Sequence, residues 1–521
     1  MATSDVMTEL QSSAIDHSGR ERLTWNVLVS WLSQLITVGI GFIMPRLIHD
    51  QLGQVTLGVW DFGWAIVSYL SLVNFGIGSN SSKFVAEYRP SGQIRRLSEV
   101  MSTAHLMQLG ICTTVFIGVY LLYANVDAIF SSEAVDVDET ALVLLLLGYS
   151  LGIQMLTDAY RGIITGCHRW DVHNAVNTFH NVSSAIGMVT TLLLGLGIQW
   201  LAAVYFVCTV AAEILRYLMS RRVCPEVQMR IRYVNKEDAR RILSYGVKTL
   251  ATLAGSLSVQ QTVSILITVH LGPAALAVFA RPAALMRHIE NFISKFAFIL
   301  MPTASSMHGM GRTEELQEFA IEMSKVGWAL ALPAGVFMVV FGPELIGVWM
   351  GLEYINAPLL WILAIGGCLA SANRVGYRIL SGMNMHGAVS YQGLIIYLIT
   401  LCMGIAWMTV WEGGLLAAAC IFVLGEVLFN AVLVPFHMAR MLGISVSQYL
   451  WRAGHRAVLI GVFSFLFLEG VKALETWSVM VNILAGGLCH GVLVSVLYWH
   501  FVLTNRLKDE IRGYIPFFHR D

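Results

Sequence analysis

The chain has 521 residues, 56% hydrophobic and 13% charged, with mean hydropathy +0.67 and a formal net charge of zero. Soluble domains carry about 25% charged residues, so the composition excludes a soluble globular protein and points to a membrane protein throughout. Zero net charge gives no general attraction for nucleic acid, and no such partner is expected. The eight cysteines, at 112, 167, 208, 224, 368, 402, 420 and 489, show no CxxC spacing and mostly sit in apolar runs, where Cys acts as a small hydrophobe.

Residues 1–22 are polar and lack the basic region and apolar core of a cleaved signal, so a flexible cytoplasmic tail is expected. Apolar runs near the ~20 residues that cross a bilayer as a helix follow at 24–45, 57–78, 99–123, 140–160, 172–195, 200–220, 244–269, 276–301, 319–341, 357–378, 389–410, 415–436, 456–471 and 479–502. The ninth contains Lys325 and Pro333, and the thirteenth is short between Arg456 and Glu469, which makes these two the weakest crossings. Basic residues gather in the even connections: Lys83, Arg89, Arg95 and Arg96; Arg221, Arg222, Arg230, Arg232, Lys236, Arg240 and Arg241; Arg440, Arg452 and Arg456; then Arg506, Lys508 and Arg512 after the last run. The odd connections hold only Arg46 and Lys472 and are acidic instead, with Asp127, Glu133, Asp136, Asp138, Glu139, Glu344 and Glu353. The positive-inside rule places the even connections and both termini in the cytoplasm of a cell-membrane protein.

An internal repeat is visible. LIHDQLGQVTLGVW at 47–60 aligns with LITVHLGPAALAVF at 266–279, an offset of 219. YRGIITG at 160–166 aligns with YRILSG at 377–382, an offset of 216–217. Six spans per copy give both copies the same orientation, so the repeats are parallel and related by an axis along the membrane normal. The expected fold is all-α and polytopic, with about 14 transmembrane helices: two parallel six-helix repeats around a central cleft plus two extra C-terminal helices. The expected segments are the tail 1–22, a first lobe 23–222, a basic cytoplasmic linker 223–242, a second lobe 243–440, and a two-helix extension 441–521 with a cytoplasmic tail.

The eighth run carries Arg281, Arg287, His288, Glu290 and Lys295. A charge at the centre of a membrane helix costs about 2.5–3.5 kcal/mol on insertion scales. Arg281, His288 and Lys295 are seven apart and share one helical stripe, with Asn291 beside it and Glu290 nearly opposite. Such a stripe belongs against water, a partner charge or an anionic cargo. Spans 1 and 7 are unusually polar, with Asn26, Ser30, Ser33, Gln34 and Thr37 in one and Ser256, Ser258, Gln260, Gln261 and Thr262 in the other. Ser and Thr often serve only to pack helices; Gln34, Gln260 and Gln261 are the better candidates for binding a polar cargo. Asp61 maps to position 280, beside Arg281, which makes it a candidate gate or coupling site, with Arg46 at the outer end of span 1. The simpler readings are a hydrated Asp61 at the interface and a Lys295 that snorkels to the cytoplasmic surface. Lys248, Asp158, Glu213 with Arg216, and Glu426 read mostly as structural.

No GxxxxGK followed by Ser or Thr occurs, and Gly246-Val247-Lys248-Thr249 has the wrong spacing. HExxH is absent, as is a GxSxG with a plausible triad, so no catalytic residue, cofactor or metal is expected. Charged groups in mid-span, a repeat and no visible catalytic group point to transport.

Leu52-Gly53 followed by Gly58-Val59-Trp60, then Tyr69, Leu72, Phe75-Gly76-Ile77-Gly78 and Phe84-Val85-Ala86-Glu87-Tyr88, resemble the opening of polysaccharide transporters. These form the oligosaccharide-flippase branch of the multidrug/oligosaccharidyl-lipid/polysaccharide exporter superfamily. The resemblance is densest over 24–110 and implies two lobes around a cleft that opens alternately to either side. It implies a polyprenyl-diphosphate-linked oligosaccharide as cargo, its tail left in the bilayer, with other polysaccharide-assembly membrane proteins as further partners. In relatives the cleft is often basic and the eighth span contributes to it, in agreement with Arg281, Arg287, His288 and Lys295; span 1 departs, with only Arg46. The expected function is therefore a flippase moving a lipid-linked sugar from the inner to the outer leaflet. Arg281, Arg287 and His288 would hold the diphosphate by charge-assisted hydrogen bonds, and Lys295 would guide entry. A cation-coupled multidrug exporter of the same superfamily is the nearest rival and would favour buried carboxylates. A membrane glycosyltransferase, polymerase or ligase is the rival of another class and would need a larger outer loop.

Overall fold

The computed structural model describes residues 23–74, 77–128, 136–473, 478–503 and 508. The rest of both tails, with Arg506 and Arg512, lies outside the described residues, as do Phe75, Gly76 and Glu133. Among the described residues every regular element is helical, and each of the fourteen apolar runs falls in helix. In chain order the helices are α1 (Leu23–Leu70), α2 (Ile77–Tyr88), α3 (Ile94–Tyr123), α4 (Val137–Leu156), α5 (Asp158–Gly166), α6 (Trp170–Leu193), α7 (Ile198–Val223) and α8 (Lys236–Leu271). They continue as α9 (Pro273–Gly309), α10 (Thr313–Met350), α11 (Ala357–Gly382), α12 (His386–Val410), α13 (Leu415–Glu426), α14 (Val434–Leu442), α15 (Val446–Ala473) and α16 (Val479–Phe501). Nine stretches among the described residues are long and apolar enough to cross a membrane, and α6, α8, α9 and α15 are not among them.

The repeat is written in the backbone. Gly53 breaks α1 at φ 86° and ψ 173°, and Gly272, 219 residues on, separates α8 from α9 at the same φ. A residue with a Cβ resists this left-handed region, so glycine is needed at both places. Three further pairs share positive φ at the repeat spacing: Gly92 and Gly311 (70° and 69°), His168 and Asn384 (56° and 59°), and Gly195 and Glu412 (69° and 50°). Four matched turns in chain order are the backbone trace of a duplicated segment.

The structure also departs from the hydropathy reading. Residues 77 and 78 of the second run belong to a separate amphipathic helix, α2, packed on α5. The fourth breaks at Thr157 into α4 and α5, whereas its counterpart α11 is continuous. The ninth run runs straight through Pro333 and Pro343 as the 38-residue α10. The thirteenth is not short, because α15 begins ten residues before Arg456 and spans 28. Arg456 donates to the Phe501 carbonyl at 2.7 Å. The twelfth is interrupted by a π-helical segment, Val427–Leu433, a form that concentrates at functional sites.

The chain divides into two compact units. One takes the described residues up to Ala254 with Gly272–Ala274, and the other takes Gly255–Leu271 and the described residues from Ala275 onward. In the first unit, α3 pairs with α4 and α6 with α7, and Ile77, Phe84, Leu97, Met101, Ile163 and Ile242 build a core at one end. In the second, α10 pairs with α11, and α15 and α16 pack along α10 through Trp328, Ala331, Ala457, Ile460, Val494 and Tyr498.

Two glycines hold equivalent close contacts. A Cβ on Gly166 would lie 2.5 Å from the Val85 Cβ and 2.6 Å from the Ser82 carbonyl oxygen, and one on Gly382 would lie 2.5 Å from the Met301 carbonyl oxygen. Gly166→Ala and Gly382→Ala should each destabilise their unit by about 1–3 kcal/mol through overpacking. Gly118→Ala, with nothing within 4 Å, should be neutral or slightly stabilising. Thermal unfolding of the detergent-purified variants checks this, and equal melting of all three would contradict it.

Candidate functional site

A carboxylate in an apolar helix layer has to find donors or it will not stay ionised. In the second unit Glu426, at the end of α13, finds four. Arg374 of α11 donates from Nη2 to Oε2 at 3.0 Å, and Asn430 Nδ2 reaches the same oxygen at 2.9 Å. The Tyr397 hydroxyl of α12 donates to Oε1 at 3.1 Å, and the Ser256 hydroxyl of α8 donates there too. Four donors match the roughly four lone-pair positions of an ionised carboxylate. The widened π turn after Glu426 brings Asn430 under its own side chain. The same Arg374 nitrogen also donates to Glu290 of α9 at 3.1 Å, so one guanidinium sits between two carboxylates. These side chains are 24% (Arg374), 19% (Glu290) and 8% (Glu426) exposed, so the triad is largely withdrawn from solvent.

The first unit holds a related cluster. Glu213 of α7 accepts from Arg216 Nε at 2.7 Å, from Arg216 Nη2 at 3.2 Å, and from the Thr157 hydroxyl at the α4–α5 break. Arg216 also donates to Asn177 Oδ1 at 3.0 Å and lies 3.2 Å from His173 Nδ1, both on α6. Asp158 pairs with Arg161 at 2.8 Å and accepts from Asn74. Asp158, Arg161, His173, Asn177, Glu213 and Arg216, with Gln154, His180, Asn181 and Tyr205, line a polar cavity of 250 Å³. The two clusters correspond. Glu213 and Glu426 both lie on the sixth span of their repeat, but 213 residues apart, so at the 217 offset Glu213 aligns with Asn430, one turn beyond Glu426. Thr157 and Arg374, and likewise His180 and Tyr397, lie 217 apart on the fourth and fifth spans.

The residues singled out by the sequence fall as follows. Arg281 is 3% exposed on α9. His288 is half-buried, and Arg287, Asn291 and Lys295 are exposed along the same helix. Gln260 joins the carboxylate cluster by donating to Ser256 Oγ at 3.3 Å, and Gln261 beside it is buried. Gln34 and Asp61 are half-buried on α1. Arg46 is taken by Asp50 one turn along its own helix, at 2.8 Å, so its guanidinium is engaged locally. The structure therefore gathers Gln260 and Glu290 with Arg374 and Glu426. Sequence reasoning did not single out Arg374, Tyr397 or Asn430, and it read Glu213, Arg216 and Glu426 as mostly structural. The repeat does not point to the two glutamates either, since their separation of 213 is one helical turn off the 216–219 spacing. Among the described residues no group of three or more His, Cys, Asp or Glu side chains could hold a metal ion.

The fold and paired clusters define the class: a multi-pass helical membrane protein with the fold of the MOP-superfamily transporters. The structure is similar to the inward closed form of the lipid II flippase MurJ, with TM-score 0.68 and 12% identity over 92% of this chain and 100% of that one. It is also similar to an inward-facing multidrug resistance MATE family transporter of the MOP superfamily, with TM-score 0.65 and 13% identity over 79% and 99%. A membrane protein of Methanocaldococcus jannaschii described as uncharacterized is 20% identical over 499 residues, covering 90% of this chain and 94% of that protein. The model of the polysaccharide biosynthesis protein family matches residues 23–308, more than half of the chain, and the chain belongs to that family.

Removing the shared cation is the sharpest test of the second-unit cluster. Arg374→Ala leaves Glu290 and Glu426 facing each other without it and should cost about 3–5 kcal/mol of stability. Arg374→Ala combined with Glu290→Gln and Glu426→Gln should recover much of that loss. Thermal unfolding of the three proteins in detergent decides it; a single variant as stable as the parent would contradict the pairing.

Proposed function

We propose that this protein is a flippase that moves a polyprenyl-diphosphate-linked oligosaccharide, a precursor of cell-surface polysaccharide, from the inner to the outer leaflet of the cytoplasmic membrane by alternating access. Both termini are cytoplasmic in this reading, following the basic even-numbered connections. The protein moves its cargo without altering it. The observation that carries the proposal is Arg281, a permanent cation 3% exposed on α9 within the eighth apolar run, in a chain of the polysaccharide biosynthesis protein family. Arg281, Arg287 and His288 hold the diphosphate, Lys295 guides it in, and Asn291, Gln260, Gln261 and Gln34 offer amide hydrogen bonds to sugar. Asp61 acts as gate or coupling group, with Arg46 near it in sequence. The lobes of this reading are 23–222 and 243–440, joined by the linker 223–242 and followed by the extension 441–521.

Buried carboxylates are what a cation-coupled drug exporter would use, and Glu213 and Glu426 are both buried. Each is engaged by an arginine, Arg216 and Arg374, which fits a load-bearing or coupling role better than capture of a cationic drug.

Arg281→Ala with Arg287→Ala should abolish glycan export while the protein still inserts, and Arg281→Lys should keep part of it. Following a lipid-linked sugar between leaflets in reconstituted vesicles measures this directly. Undiminished transfer by the doubly substituted protein would overturn the assignment, and drug resistance without glycan transfer would favour the exporter.

A further inference from the structure

Residues 224–235, which join α7 to α8, lie as a strap along the first two turns of α3. The backbone N–H groups of Gln228, Arg230 and Asn235 donate to the hydroxyls of Ser98 (3.2 Å), Ser102 (3.0 Å) and Thr103 (3.1 Å). Cys224 and Val227 are buried in the same core as Leu97 and Met101. Just beyond the strap Arg96 forks onto Asp238, with Nη1 to Oδ2 at 2.9 Å, and Asp238 is 1% exposed. The underside is therefore tied down in three ways.

The upper side is different in kind. Ile231 is 85% exposed between Arg230 and Arg232, which are exposed too. Arg232 donates to the Tyr233 hydroxyl at 3.3 Å and, with Arg95, Glu99 and Asn235, they line an open pocket of 620 Å³. Arg95 and Arg96 pair with Glu99, and Arg96 with Asp238, whereas Arg230 and Arg232 near Tyr233 add two further positive charges to the patch. The hydrogen bond from Arg232, helped by Arg230 and Arg95 nearby, holds the Tyr233 phenol below its ordinary pKa. The strap also has a defined depth. It covers α3 at Ser98 and Ser102, and the same helical face continues as Leu106 (42% exposed) and Leu109 (46%). Apolar side chains exposed on a spanning helix mark where acyl chains begin, so the patch lies one turn outside them, at headgroup level.

We propose that the 224–235 strap is a seat for an anionic phospholipid of the surrounding leaflet, with Arg95, Arg230 and Arg232 on its phosphate and Ile231 among its acyl chains. The occupant is a bilayer lipid and not a soluble anion, because the pocket adjoins the lipid-facing side of α3 and carries a bare isoleucine that water gives no reason to expose. This assignment does not depend on what the protein transports.

The test uses the full-length protein in nanodiscs of equal phosphatidylcholine and phosphatidylglycerol, with retained lipids counted by native mass spectrometry after release. Phosphatidylglycerol should be retained preferentially, and the preference should shrink with added salt as charges are screened. Arg230→Gln with Arg232→Gln should weaken retention by about fivefold per arginine, roughly 25-fold in all. Ile231→Ser should weaken it as well; that side chain touches little of the protein, so this variant carries the test even where the double variant fails to fold. No preference in the parent protein, or unchanged retention in folded variants, overturns the proposal. Displacement of phosphatidylglycerol by a short-chain polyprenyl diphosphate would also overturn it, assigning the seat to cargo instead.

Discussion

An ionised carboxylate inside a helix bundle at membrane depth is tolerated only with donors on every side. Glu426 meets that demand by drawing on α8, α11, α12 and the π turn that follows it. Glu213 meets it through Thr157 at the α4–α5 break and through Arg216, which reaches on to α6. In each unit one buried carboxylate thus specifies how several helices converge. An apolar contact could supply as much stability but would leave rotation and sliding less restricted, since Leu packs nearly as well one notch along. The costs are asymmetric as well. Loss of the carboxylate strands several donors, and loss of the arginine strands a charge.

The two repeats meet this demand with different chemistry. At the fourth-span position one copy has Thr157 and the other Arg374, so the first unit takes its cation from α7 itself, three residues from the carboxylate. Position 71, the counterpart of Glu290 at offset 219, is a serine that bonds its own helix, with Ser71 Oγ donating to the Ser68 carbonyl at 2.6 Å. The second unit therefore has a triad where the first has a pair. The backbone devices run the other way: positive-φ turns recur at matched places even where the side chains differ, as with His168 and Asn384. Turn geometry is set by the path of the chain, and the identity of a charge partner is not.

This explains what was legible beforehand. The Leu-Gly steps at 52–53 and 271–272 stand out because a left-handed break between spans needs glycine, and that local rule exposed the repeat. Helix α2 was hidden because its short sequence, IGSNSSKFVAEY, is too polar for a crossing and has no run of its own. The thirteenth span looked short because Arg456 and Glu469 were taken as its ends, whereas Arg456 lies ten residues inside α15. The carboxylate clusters were harder still. Arg374 shares its apolar run only with Arg378, one turn on, and its partners lie 52 and 84 residues away, beyond any helical periodicity. Glu290 was placed opposite the basic stripe, and that geometry is consistent with its reaching across to α11.

The distribution of cations within the repeat bears on the cargo. Helix α9 carries Arg281, Arg287 and Lys295 against one carboxylate, Glu290, and that carboxylate is engaged by Arg374. The counterparts of the three cations at offset 219 are Phe62, Ser68 and Gly76, so on this helix the positive charge belongs to the second copy. A charge at the centre of a membrane helix costs about 2.5–3.5 kcal/mol to insert, so packing alone gives no cause to load one copy of a duplicated helix with cations. The cargo proposed above, with an anionic head and an uncharged remainder, would supply that cause. A diphosphate joined to a neutral glycan has this division of charge, and a symmetric or cationic cargo does not.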